Sequence, residues 1–179
     1  MSTIEKLALQ GNVNMDERVL LFREQLLQVR NQNIRDIVSD FSPAPCRLEL
    51  VATICGIDFI NDTKAGNINA LWYSLESMTK PTILIVNNME VKDGFSKIIP
   101  LLQTKVKAVI LLDAQSNMSS FFTNYVERVY KAQNIEHAVE MAYTISLPGD
   151  AVLFSPACSG YDDDYIQKGE LFSTTVKKL

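Results

Sequence analysis

Three short, wholly apolar runs constrain this chain more than any other feature. They are Thr82-Ile83-Leu84-Ile85-Val86, Ala108-Val109-Ile110-Leu111-Leu112 and Ala151-Val152-Leu153-Phe154. Runs this short, rich in β-branched residues and lacking polar alternation, suit strands covered on both faces. Segments of helical period separate them. Helices are expected at 67–78, 94–103, 118–125, 135–146 and 164–178, with a short strand at 128–130. In 67–78 the apolar stripe is Ile68, Leu71, Trp72, Leu75 and Met78; in 135–146 it is Ile135, Ala138, Val139, Ala142 and Ile145. Repeated strand–helix units predict a mainly parallel sheet with helices on both faces.

Upstream of these units the period changes. Residues 47–53 and 57–61 read as strands flanking Cys55-Gly56, a turn signal that adds an antiparallel edge hairpin. Ser42-Pro43-Ala44-Pro45 reads as a linker, because each proline disfavours helix around it. The expected division is therefore a short N-terminal strand and helical appendage over 1–44, then an α/β domain over 45–179. Within the appendage, 4–10 alternates like a strand, and 16–30 and 33–41 carry helical stripes including Leu20, Leu27, Ile34 and Phe41.

Composition narrows the function. Apolar residues make up 47% and charged residues 21%, which excludes disorder as a description of the chain. The net charge of −4 comes without a basic stripe, so nucleic acid is not an expected partner. Lys97, Lys105 and Lys107 read as solvated charges around a helix and the turn after it. Three cysteines (Cys46, Cys55, Cys158) without CxxC spacing, and one histidine (His137), give no Cys/His zinc site. No metal site is expected. Reduced thiols, no signal-peptide pattern and no apolar run of about 18 residues predict a cytoplasmic protein with no membrane partner.

In a parallel α/β sheet, ligands sit beyond the carboxyl ends of the strands. The residues after Ile60, Val86, Leu112 and Phe154 are thus the ones to inspect. After Ile60 stands Asn61-Asp62-Thr63-Lys64-Ala65-Gly66-Asn67. An acid, a hydroxyl and a lysine before a helix N-terminus fit a phosphate or nucleotide edge, with Lys64 as a point charge. They equally fit a helix start capped by Asp62 or Thr63, with Lys64 solvated. After Phe154 stands Ser155-Pro156-Ala157-Cys158-Ser159-Gly160-Tyr161-Asp162-Asp163-Asp164, whose aspartates read as charges at a helix N-terminus. Cys158 has no histidine partner for nucleophilic work, since His137 falls in a helix. Neither GxxxxGK[ST] nor GxGxxG occurs, so neither a self-contained ATPase nor a nicotinamide enzyme is expected.

These motifs, in this order, resemble the C-terminal domain of the Mur ligase family, in particular its D-glutamate-adding branch. The resemblance rests on four stretches: Arg47-Leu48-Glu49, the Asn61–Asn67 run quoted above, the continuous run from Pro148 to Cys158, and Lys168-Gly169-Glu170-Leu171-Phe172. It covers about 45–179 and implies a Rossmann-like fold. Residues 4–15 resemble the last strand of that family's central domain, with Gly11-Asn12-Val13-Asn14 at its end.

The resemblance implies an ATP-dependent amide ligase of peptidoglycan synthesis. Such an enzyme phosphorylates a UDP-muramoyl-alanine carboxylate and lets the D-glutamate amine attack the acyl phosphate. ATP and magnesium serve the family, but the P-loop and metal ligands belong to domains not represented in this sequence. The chain alone is therefore expected to hold no cofactor and to be inactive, with no catalytic residue of its own. The rival expectation is a non-catalytic binding or interaction module of the same family.

By resemblance, Arg47 and Asp62 face the nucleotide ribose, Lys64 lies near the phosphates, and Asn67, Ser159 and Tyr165 lie on the substrate side. Several positions depart from the family pattern. Cys46 replaces a histidine, Gly66 a threonine, and Asn87-Asn88-Met89-Glu90-Val91 a glycine-rich loop ending in lysine. Gly160 stands where a serine is usual, with Ser159 adjacent, and Tyr165 replaces a phenylalanine. The nucleotide side survives better than the amino-acid side. The expected ligand is therefore a weakly bound nucleotide or phosphate between the loops after Ile60 and Phe154. The expected protein partners are the other ligase domains or a second copy of the chain.

Overall fold

The computed structural model describes residues 45–87, 95–112, 116–156 and 164–179, all within the compact unit Pro43–Leu179. The helical appendage expected over 1–44 lies outside the described residues. Six strands form one sheet: β1 (Glu49–Ile54), β2 (Ile57–Asn61), β3 (Thr82–Val86), β4 (Val106–Leu112), β5 (Arg128–Ala132) and β6 (Ala151–Phe154). Their order across the sheet is β1-β2-β6-β3-β4-β5. Every neighbouring pair is parallel except β1 with β2. Among the described residues five α-helices accompany them: α1 (Ile68–Ser77), α2 (Ile99–Lys105), α3 (Ser116–Thr123), α4 (Ile135–Ile145) and α5 (Tyr165–Val176).

The apolar runs form the centre for the reason their composition suggests. Every residue of β3 and β6 is buried. Alternation along β3 sends Leu84 and Val86 to one face and Ile83 and Ile85 to the other. The first face packs on Leu71 and Leu75 of α1, Leu101 and Leu102 of α2, and Met118 and Phe122 of α3. The second packs on Ala138, Val139 and Ala142 of α4 and Phe172 and Val176 of α5. Helices thus cover both faces, as expected. No helix among the described residues is long and apolar enough to cross a membrane.

The edge hairpin turns where Cys55-Gly56 indicated. Both residues have positive φ, 49° and 79°, the requirement of the two-residue turn whose twist matches its strands. The register runs from Ile54↔Ile57 to Glu49↔Asn61, with an irregularity between Leu50 and Ala52.

Two expectations need correcting. The helix expected over 94–103 is divided: a single 3-10 turn at Phe95–Lys97 precedes α2, which has Pro100 in its first turn. A continuous helix would put Pro100 in its interior, where the ring lacks an N–H and clashes with the preceding turn. Lys107 lies in β4 rather than in a turn, and it is paired rather than merely solvated. Its Nζ donates to Asp150 Oδ2 at 2.7 Å.

Candidate functional site

Parallel pairing brings the carboxyl ends of β2, β6 and β3 side by side, with Asn61 opposite Phe154 and Phe154 opposite Ile85. The ladder continues past the strands. Asp62 N–H donates to the Phe154 carbonyl at 2.8 Å, and Ser155 N–H donates to the Ile85 carbonyl at 3.0 Å. The loops after β2 and β6 therefore adjoin on one rim.

Asp62 is the centre of this rim. It is wholly buried, and its two oxygens accept four hydrogen bonds. Oδ1 accepts from Arg47 Nη1 at 2.9 Å and from the Leu48 amide at 3.2 Å. Oδ2 accepts from Ser74 Oγ at 2.5 Å and from Ser155 Oγ at 2.8 Å. Burial pushes the Asp62 carboxyl above the ordinary carboxylate range. Arg47 opposes that push, followed by the two serine hydroxyls and the Leu48 amide.

Arg47 is nearly as enclosed, with its side chain 6% exposed. Its Nη1 also lies 3.3 Å from Ser74 Oγ, and its guanidinium carbon is 5.5 Å from the centre of the Tyr73 ring. The backbone bends sharply to deliver it. Cys46 and Leu48, on either side, have φ of 61° and 46°. Such conformations are uncommon for non-glycine residues and persist where the surroundings fix them. They also explain why β1 starts at Glu49, later than the expected residue 47.

The rest of the motif shapes the turn. Asn61 Oδ1 accepts from Thr63 N–H at 3.2 Å and from Thr63 Oγ1 at 2.9 Å, a side chain standing in for a backbone turn. Asn61 Nδ2 reaches the Gly169 carbonyl of α5 at 3.4 Å. Lys64 N–H donates to the Cys46 carbonyl at 3.1 Å. The Lys64 side chain is only part-buried and makes no ion pair among the described residues.

Neither Asp62 nor Thr63 caps α1. Asn67 does, its side chain accepting from Ala70 N–H at 2.9 Å. The turn runs to Gly66 before the helix starts, so the cap falls five residues later than Asp62. Tyr165 opens α5 and is part-buried. Ser159, Cys158 and the 88–91 stretch lie outside the described residues. Among the described residues no group of three His, Cys, Asp or Glu could hold a metal ion.

The structure thus brings Arg47, Asp62 and Lys64 onto one rim. It adds Ser74 and Ser155, which the sequence reading missed. Ser155 stood in a motif already singled out; Ser74 sits mid-helix with nothing local to mark it. The gap between the loops after β2 and β6 is closed at this point, because Asp62 itself bonds Ser155. Elsewhere on the same rim a cleft of about 230 Å³ opens toward α4 and α5, lined by residues including Asn87, Leu112, Gln133, Glu136 and Lys168. A larger cleft, about 530 Å³, lies at the opposite rim beside Lys80, Lys105 and Lys107. Its lysines are already engaged by Asp58, the Glu76 carbonyl and Asp150.

Comparison with known proteins places this rim in context. Residues 46–158 match the family described as Mur ligase, glutamate ligase domain. The chain is 37% identical over 178 residues to the UDP-N-acetylmuramoylalanine–D-glutamate ligase of Christiangramia forsetii, covering 97% of this chain and 40% of that protein. It spans about 40% of the length of such curated relatives. Among solved structures, the fold matches a murein peptide ligase from Psychrobacter arcticus with a TM-score of 0.52. That match has 11% identity and covers 75% of this chain and 30% of the other. A Mycobacterium tuberculosis folylpolyglutamate synthase complexed with ADP and AMPPCP matches with a TM-score of 0.51 at 13% identity, over 74% and 32% of the two chains. The family model over 46–158 and the 37% identity across 97% of the chain together show that the chain belongs to the Mur ligase family.

Proposed function

We propose that this chain contributes the C-terminal domain's share of an ATP-dependent UDP-N-acetylmuramoylalanine–D-glutamate ligase of cell-wall synthesis. The observation that carries this reading is the rim formed by Arg47, Asp62 and Lys64. It stands at the strand ends, in a chain 37% identical to a ligase of that name. In the reaction, ATP phosphorylates the muramoyl-alanine carboxylate; the D-glutamate amine then attacks the acyl phosphate, forming the amide and releasing phosphate. Arg47 offers a planar, permanently charged donor toward the nucleotide. Lys64, with no ion pair among the described residues, offers a mobile cation toward its phosphates. A solved protein of the same fold was complexed with ADP, which supports the nucleotide side of this reading.

Magnesium serves such ligases, but the described residues supply no cluster to hold it. The 179 residues contain no P-loop, so the chain by itself neither hydrolyses ATP nor forms amide bonds. Gly66, and Val91 where the family has lysine, leave the amino-acid side short of donors. D-glutamate therefore binds more weakly than nucleotide.

Titration of the ¹⁵N-labelled chain with ADP and, separately, D-glutamate tests this. Weak, saturable shifts at 62–67 with ADP are expected, together with no phosphate release from ATP. Shifts at 62–67 with micromolar D-glutamate and none with ADP would refute it.

A further inference from the structure

A carboxylate has about four lone-pair sites. In Asp62 the protein itself occupies all four, and the residue is wholly buried. A ribose hydroxyl could bond Asp62 only by displacing one of these donors, at the cost of a buried charge-assisted bond. The one charged donor among the four is the Arg47 guanidinium.

The other two donors decide which way the carboxylate faces. Ser155, immediately after β6, has Oγ 2.8 Å from Oδ2. Ser74, one helical turn beyond Ala70 in α1, has Oγ 2.5 Å from Oδ2 and 2.8 Å from the Ala70 carbonyl. Ser74 has a single hydroxyl proton, and the charged acceptor holds it more strongly than a neutral carbonyl. The same oxygen also faces Arg47 Nη1 at 3.3 Å, so Ser74 touches both members of the ion pair.

We infer that Ser74 and Ser155 are positioning residues: by anchoring Asp62 Oδ2 they aim Oδ1 at Arg47 and so set the direction of the guanidinium. This rests on the reading above, in which Arg47 meets the nucleotide. The clamp joins three separate segments: the turn before β1, helix α1 and the loop after β6. Without the serine hydroxyls, the carboxylate keeps its place in the chain but loses two of the four bonds that fix its plane. Supporting contacts of this kind set the geometry of a ligand-facing group without touching the ligand.

The test uses Ser74→Ala and Ser155→Ala in the 179-residue chain, with two readouts. The first is the ¹⁵N spectrum of the Arg47 guanidinium, in which a held group shows slow rotation and resolved Nη signals. The second is the ADP affinity. Both variants should lose the resolved Arg47 signals while amide spectra stay folded, and ADP affinity should fall about 3- to 10-fold, the worth of one hydrogen bond. If an alanine variant fails to fold, the near-isosteric cysteine, a weak donor, replaces it and should give the same loss. Folded variants with unchanged Arg47 signals and unchanged ADP affinity would overturn the clamp. Loss of the Arg47 signals in a chain whose wild type never responds to ADP would keep the clamp and sink the nucleotide reading instead.

Discussion

Gly169 of α5 lies so close to Thr63 that a methyl group on the glycine would sit 2.7 Å from the threonine hydroxyl. It would also meet Asn61 Nδ2 and Cys46 Sγ, each at 2.8 Å. Both Thr63 and Asn61 are short side chains already tied to each other, so neither can swing away cheaply. Alanine gains about 1 kcal/mol over glycine inside a helix, but overpacking of this kind costs about 1–3 kcal/mol. Gly169→Ala should therefore be destabilising overall and should shift the amide signals of 61–64. A higher urea midpoint for the variant would show that the contact yields.

Arg47→Met should be among the most damaging single changes in the domain. It leaves Asp62 charged, wholly buried and without its cation, a loss of about 3–5 kcal/mol. The pH dependence follows from the raised Asp62 pKa. The native state binds this proton more tightly than the unfolded chain. The group's contribution is therefore most favourable below the unfolded value and declines as pH rises through the folded one. Removing Arg47 takes away the strongest opposing influence and raises the pKa further. The damage should shrink on going from about pH 7 to about pH 5, as read from denaturant midpoints at each pH. A loss that grows toward acid would contradict the assignment.

Asn67→Ala should cost about 1 kcal/mol by removing the cap from α1, while Asn67→Asp and Asn67→Ser should be close to neutral. Thermal melts of the three variants check this. Equal destabilisation by all three would mean that the capping bond does not account for the loss.

Lys80 supplies the main reason that the Asp58 carboxyl is held below its ordinary range. A lowered carboxyl pKa contributes stability above the unfolded value of about 4, lost as pH falls through the folded one. Both side chains are partly exposed, so Lys80→Met should cost only about 0.2–1 kcal/mol near neutrality. The cost should diminish with added salt and vanish in acid. Midpoints at low and high ionic strength measure it; a salt-independent cost would point to lost packing of the lysine stem instead.

Much of the architecture was legible because periodicity is a local property. The run Thr82–Val86 could bury both faces only inside a sheet, and the structure sets it between β6 and β4. The helix expected over 94–103 passes through Pro100, which the structure instead places in the first turn of α2. There the loss of one backbone donor outweighed periodicity. Asp62 and Lys64 stood out as chemistry at a strand end, which is a statement about residue type and topology, whereas Arg47 was reached only through the family resemblance.

What the sequence by itself determined is the parallel sheet, its edge hairpin and the rim that carries the site, because each follows from patterns within a dozen or so residues. Only the tertiary structure decided what surrounds Asp62 there. Its partners Ser74, Arg47 and Ser155 stand 12, 15 and 93 residues away along the chain. No local pattern reports that burial or those hydrogen bonds. They exist because parallel pairing of β2 with β6 brings Ser155 to the end of β2, and because the turn before β1 folds Arg47 back over the same spot. A carboxylate in water meets only solvent donors; here four protein donors from distant parts of the chain converge on it.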